Sequence, residues 1–324
     1  MLFQSQLARA VRAAAGACTL VALAALASCG GGTYQVRTYL PQRLLSFGDE
    51  SSLLLPDGSK YSINGVNATT HLQDCTVNPL WFQSLAATYG MVYPECNPEA
   101  AASPAAHSYA TVGATVDDIA NALNAFSGSD SFTPNDLVTI YIGTHDVLAV
   151  YAESASADET AALAEMRSRA LIVANQVNAI VGTGAKVLLL TIPDMGASPF
   201  AVLENERGDF DRALLLSHMT QEFNRTMRSN IINDGSKIGL VLVDDYIAGA
   251  VRSPLSFGLL TTTIAACLDT APLPSCTTDT VNTEVNGNAA VPTQFLWADA
   301  THLGSAANST IGAQAVSRVR TNPF

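Results

Sequence analysis

The stretch LLSFGDESSLLL, Leu44 to Leu55, has the form of a strand feeding a catalytic turn. An apolar run enters Gly48-Asp49 and opens into Ser51-Ser52, as a turn presenting a nucleophile to an acyl carbon would. The residue directly after Gly48-Asp49 is Glu50, however, and a carboxylate is no ordinary acyl-transfer nucleophile. Two other apolar runs end in polar residues, at Gly143-Thr144-His145-Asp146 and at Pro193 to Gly196. In open α/β sheets, ligands bind beyond the carboxyl ends of the strands. Asp49, Gly143 to Asp146 and Pro193 to Gly196 are therefore the strand ends where chemistry can be placed. His71 and His107 sit in irregular sequence and His218 in a helical pattern, so these three read as surface or core residues.

The elements that must position these residues alternate along the chain. RLLSFGD (43–49), DLVTIYIG (136–143), AKVLLLTIP (185–193) and IGLVLVDD (238–245) are predicted strands. Their continuous Val, Leu and Ile runs suit a parallel sheet covered on both faces. Between them, 116–126, 158–184 and 210–232 keep apolar residues at helical spacing, and a last helix is predicted over about 304–318. Asp158 and Glu159 open the second of these helices and glycines close it. Strand–helix alternation of this kind predicts an α/β fold, a doubly wound parallel sheet sandwiched by helices. Segments 60–110 and 252–297, rich in Pro, Gly and polar residues, read as elaborated loops over one end of the sheet. Trp81, Phe82 and Trp297, near these segments, are expected to pack the core.

The N-terminus reads as a targeting segment. Arg9 and Arg12 precede an apolar run shorter than the roughly 20 residues a spanning helix needs, as in a secretory signal. The run ends in Leu26-Ala27-Ser28-Cys29 followed by three glycines, a sequence resembling the bacterial lipobox. That resemblance implies a signal peptide over 1–28, lipidation of Cys29, and a glycine-rich tether over 29–42. Gly30 after the cysteine implies the outer membrane of a bacterial envelope, and several acyl chains make such an anchor stable. One domain is then expected over 43–324. The whole chain carries a formal charge of −12, and loss of two arginines with residues 1–28 lowers this to −14. An acidic exterior excludes nucleic-acid binding through basic patches. Cys75, Cys96, Cys267 and Cys276 are an even set in an oxidising compartment, and local pairing, Cys75 with Cys96 and Cys267 with Cys276, is the simplest of three connectivities.

Taken together, the strand ends resemble the GDSL (also called SGNH) esterases and acylhydrolases. FGDES sits where that family has F-G-D-S, TVGATVDDI (111–119) resembles its second block, and YIGTHD (141–146) resembles G-x-N-D. TIPDMGASP (191–199), FNRTM (223–227), SPLSFGLL (253–260) and WADATHLG (297–304) follow in the family's order. The resemblance implies the SGNH hydrolase fold, hydrolysis of lipid or small-molecule esters, and no cofactor. It makes Asp299 and His302 the carboxylate–imidazole pair that takes the proton of an attacking hydroxyl. It makes Gly113 an oxyanion-hole amide, with the G-x-N-D asparagine as a further donor to the developing oxyanion.

Two signature positions depart from the family pattern: Glu50 holds the nucleophile position and His145 the asparagine position. Four readings follow. The nucleophile has moved to Ser51, with Ser52 as second candidate, although both residues also suit helix N-terminal capping. One residue along a helix turns a side chain by about 100°, so Ser51 would face away from His302 unless the turn compensates. In the second reading the chain is a non-catalytic binder that keeps fold and cleft. In the third, Glu50 is a general base that activates water while His145 protonates or stabilises. In the fourth, Glu50, His145 and His302 converge as a metal site of a kind zinc accepts.

Overall fold

The computed structural model describes residues 39–153, 158–321 and 324. The expected signal segment, the expected lipidation site Cys29 and most of the expected tether lie outside the described residues.

Five parallel strands form the central sheet: β1 (Arg43–Gly48), β2 (Ala106–Ser108), β3 (Asp136–Tyr141), β4 (Lys186–Leu190) and β5 (Ile238–Val241), in spatial order β2-β1-β3-β4-β5. Leu44, Phe47, Leu137, Val138, Ile140 and Leu188 to Leu190 are fully buried, because helices cover both faces of these strands. Each such side chain contributes about 1.5–3 kcal/mol by leaving water. The register aligns Arg43 with Asp136 and Gly48 with Tyr141. Arg43 also forks onto both carboxylate oxygens of Asp136, at 2.8 and 2.7 Å, which pins the starts of β1 and β3 together.

The helices are α1 (Trp81–Thr88), α2 (Val116–Ser129), α3 (Thr144–Glu153), α4 (Glu159–Gly182), α5 (Pro199–Asn205), α6 (Arg212–Asn230), α7 (Val243–Arg252) and α8 (Ser305–Thr321). The long α4 and α6 begin at aspartate caps: Asp158 accepts from the Ala161 amide and Asp211 from the Leu214 amide. They pack against each other, and α1 packs against α8. Trp81, Phe82 and Trp297 are wholly buried. Outside the main sheet, β6 (Thr261–Ala265) pairs with β9 (Phe295–Trp297), and β7 (Glu284–Val285) with β8 (Asn288–Ala289).

Three expectations need correction. Segment 60–110 is not wholly irregular, since it carries α1 and the edge strand β2. The strand expected over 238–245 stops at Val241, and Val243 already lies in α7, whose first turn holds Asp244 and Asp245. The serines after Gly48-Asp49 do not open a long helix. Glu50–Ser52 is one 3₁₀ turn, after which Leu53 is extended. The disulfides are those of local pairing, Cys75–Cys96 and Cys267–Cys276.

Candidate active site

The site is built at the carboxyl ends of β1, β2, β3 and β9. At Gly48 a Cβ would lie 2.2 Å from the Tyr141 carbonyl oxygen, so only glycine lets β1 leave the sheet there. Asp49 caps the following turn by accepting from the Ser51 amide at 2.9 Å, a role that Ser51 and Ser52 do not take. This turn buries Glu50, which is 2% exposed. The chain beyond β2 is tied back to β1 by the Thr111 amide on the Gly48 carbonyl. It presents Gly113 in the left-handed region, φ 73°, where a side chain would be strained. His145 sits in the first turn of α3. After β9, Asp299 accepts from the Thr301 and His302 amides, at 2.9 and 2.7 Å, and so fixes the loop that carries His302.

These segments converge on one carboxylate. Glu50 Oε1 lies 2.6 Å from His145 Nε2 and 2.7 Å from His302 Nε2, while Oε2 accepts from the Gly113 amide at 2.7 Å. The other side of His302 meets Asp299, with Nδ1 at 2.9 and 2.8 Å from its two oxygens. Both nitrogens of His302 thus face carboxylate oxygens, an environment that places a proton on each. The side chains of His145 and His302 are 25% and 17% exposed, so the cluster meets solvent through its imidazoles.

Electrostatics follow from this geometry. Burial pushes the Glu50 carboxyl up, but the two imidazoles and the Gly113 amide outweigh it and hold the group well below the usual carboxylate range. Burial alone would lower His302, yet hydrogen bonds to Asp299 and Glu50 raise it to about 10. His145 is raised by Glu50 against the same burial. Asp299 is lowered by His302 despite its own burial. Asp49, buried beside Glu50, is pushed up to about 6 by desolvation and then by its neighbour's charge. A carboxylate so strongly held is a weak base, and a doubly protonated imidazole is no base at all.

Ser51 forms no hydrogen bond with His302, whose Nε2 is taken by Glu50. Its carbonyl accepts from the Trp81 indole at 3.0 Å. The Ser52 hydroxyl is buried without a partner. The remaining strand-end residues serve the frame. Asp146 accepts from the Val116 amide and from Arg169, and Asp194 from the Gly196 amide and Ser217. Among the described residues, no group of three or more His, Cys, Asp or Glu side chains is arranged to hold a metal ion. Tyr61 is a neighbour that sequence reasoning missed. Its ring centroid lies 5.7 Å from that of His302, and no motif marks it.

Residues 57–314 match the family of GDSL-like lipases and acylhydrolases. The matched span begins after Glu50 and takes in Gly113, His145, Asp299 and His302. A curated relative, phosphatidylcholine-sterol acyltransferase of Aeromonas hydrophila, is 27% identical over 191 residues, which cover 56% of this chain and 52% of that protein. The chain thus spans about half the length of that relative. Among solved structures, the lipase Lip_vut3 from a goat rumen metagenome superposes with a TM-score of 0.50 at 12% identity, covering 87% of this chain and 99% of the other. An extracellular lipase from Streptomyces rimosus gives a TM-score of 0.44 at 16% identity, over 86% of this chain and all of that one. At 12% identity the likeness to the Lip_vut3 lipase is one of fold.

Proposed function

We propose, from the premise that this chain belongs to the family of GDSL-like lipases and acylhydrolases, that it is a lipid-anchored envelope hydrolase whose centre works without a serine acyl-enzyme. Glu50 stands in place of the serine and His145 in place of the asparagine. One observation carries this reading: the carboxylate of Glu50 takes the Gly113 amide, His145 and His302 together. A serine mechanism needs the first free for the substrate's oxyanion and the last free as base. Neither is free, and Ser51 does not reach the imidazole. The weak basicity of Glu50 likewise speaks against simple water activation. The name of the Aeromonas relative concerns a phospholipid, which supports a lipid or small apolar molecule as ligand here. The lipobox-like Leu26 to Cys29 supports the anchor.

The decisive assay is hydrolysis of short-chain aryl esters by protein lacking residues 1–29. Wild type and Ser51→Ala should be equally inert, while Glu50→Ser, which restores a hydroxyl beside the His302–Asp299 pair, should gain at least about 10²-fold. Wild-type turnover that vanishes in Ser51→Ala would overturn the reading. Fatty-acid labelling of the full chain should disappear in Cys29→Ala; undiminished labelling would remove the anchor.

A further inference from the structure

We infer that Glu50 is a covalent nucleophile toward saturated carbon and that the substrate class is the epoxide. The inference rests on the reading that Glu50 replaces the serine, and it adds the reaction that the replacement serves. A carboxylate can attack either a carbonyl carbon or a saturated carbon bearing a leaving oxygen. Attack on an ester carbonyl would place an oxyanion on the substrate, and the amide that should receive it, Gly113 N, is already on Glu50 Oε2 at 2.7 Å. Attack on saturated carbon creates no substrate oxyanion of that kind. It creates an ester of Glu50 itself, whose carbonyl oxygen is then Oε2. The oxyanion donor therefore stands where the second half of this reaction, hydrolysis of the Glu50 ester, requires it.

The protons close the same way. The epoxide oxygen first displaces Oε1 from the His302 Nε2 proton, which frees a lone pair on Oε1. Oε1 then bonds to one ring carbon, that carbon–oxygen bond breaks, and the released alkoxide takes the proton from His302. His302 is left neutral, with Nδ1–H still held by Asp299 and Nε2 open toward Glu50. In the second half Nε2 removes a proton from water, whose oxygen bonds to Cδ of Glu50. The charge formed on Oε2 is held by the Gly113 amide. Collapse breaks the bond from Cδ to Oε1, and Oε1 leaves with the substrate, taking the proton back from His302. The new carboxylic acid of Glu50 then passes the proton that arrived with the water oxygen to His302 Nε2, so epoxide and water become a diol, the resting ion pair is restored, and no further reactant is needed.

The bookkeeping separates this class from its neighbours. An alkyl halide leaves without a proton, so His302 would stay protonated and could not activate water. A glycoside takes the proton, but its ester opens at the sugar carbon, which leaves the Gly113 amide without a role. In this scheme His145, the second donor on Oε1, orients the carboxylate.

Wild-type protein lacking residues 1–29 is to be incubated with styrene oxide and with decene oxide in heavy-oxygen water. Diol should form, and under single turnover the heavy oxygen should enter the peptide carrying Glu50, not the diol. Glu50→Gln, close in shape, should lose at least about 10³-fold, and His302→Asn, which lacks both the acid of the first half and the base of the second, should lose as much. Absence of diol, heavy oxygen appearing first in the diol, or activity surviving in Glu50→Gln would each overturn the inference. The label needs only wild-type protein, so a poorly folding variant does not blunt the test. Ester hydrolysis by Glu50→Ser is a separate readout. A gain there, with no diol from wild type, rejects the epoxide and keeps the altered centre, whereas no gain there removes the centre's reading itself.

Discussion

Two ionisable side chains lie buried ten positions apart, and they are held in opposite ways. Glu50, at the end of β1, is surrounded by groups that can change protonation: His145, His302 and, beyond it, Asp299. Lys60, in the segment before the loop closed by Cys75–Cys96, is 0% exposed, and its ammonium donates to three backbone carbonyls at the start of that loop, Cys75 at 3.2 Å, Val77 at 3.0 Å and Asn78 at 2.8 Å. Desolvation lowers its pKa to about 8, with Asp74 opposing. The three carbonyls use all three of its N–H groups, which makes the lysine a built-in cation for the loop. Carbonyls cannot adjust if their partner is lost, whereas imidazoles can release a proton. The first arrangement fits a site that must pass through several charge states, the second a frame that must keep one.

Removing each charge in turn sharpens this contrast. Lys60→Met should show the larger effect on stability, a loss of about 3 kcal/mol, because carbonyls are left unsatisfied in a dry setting. Denaturant unfolding measures it, and a change within a few tenths of a kcal/mol would show that the loop is not held by the ammonium. Glu50→Gln should lower stability less, by about 1–2 kcal/mol near pH 6, since both imidazoles can shed protons in response.

The pH dependence gives the sign. The folded pKa of His302 is raised from 6.5 to about 10, and that of His145 is raised as well. Their contribution is present in full below about pH 6.5 and is lost as pH rises towards 10. Glu50 is held below its ordinary 4.5, so its contribution is present above that value and lost as pH falls. Wild type should therefore lose thermal stability from pH 6.5 to about 8, above which Lys60, lowered to about 8, opposes the trend, and Glu50→Gln should lose less between pH 6.5 and about 8, with the residual slope due to Asp299. Parallel curves for the two proteins would contradict the ion pairing.

Much of the fold was legible because its signals are local. Continuous apolar runs marked β1, β3, β4 and β5, an acidic start marked α4, helical apolar spacing marked α6, and short separations marked both disulfides. What escaped had little local signal. β2 is three residues long and becomes a strand only by pairing with β1, and α1 lies within a segment dominated by turns. IGLVLVDD carries one apolar pattern through a strand end and a helix start, so the boundary at Val241 depends on how far β4 extends beside it.

For the candidate site, the order of motifs determined which residues to compare: Glu50, Gly113, His145, Asp299 and His302. In the proposed reading, a carboxylate and an imidazole stand where the family pattern has serine and asparagine. Only the tertiary structure decided what that carboxylate does. Its donors come from segments 63, 95 and 252 residues away in the chain, and a difference of an ångström in where those segments meet separates a hydrogen-bonded ion cluster from a free base. Spacing along a chain carries no information at that scale, whereas packing of four strand ends around Gly48 does.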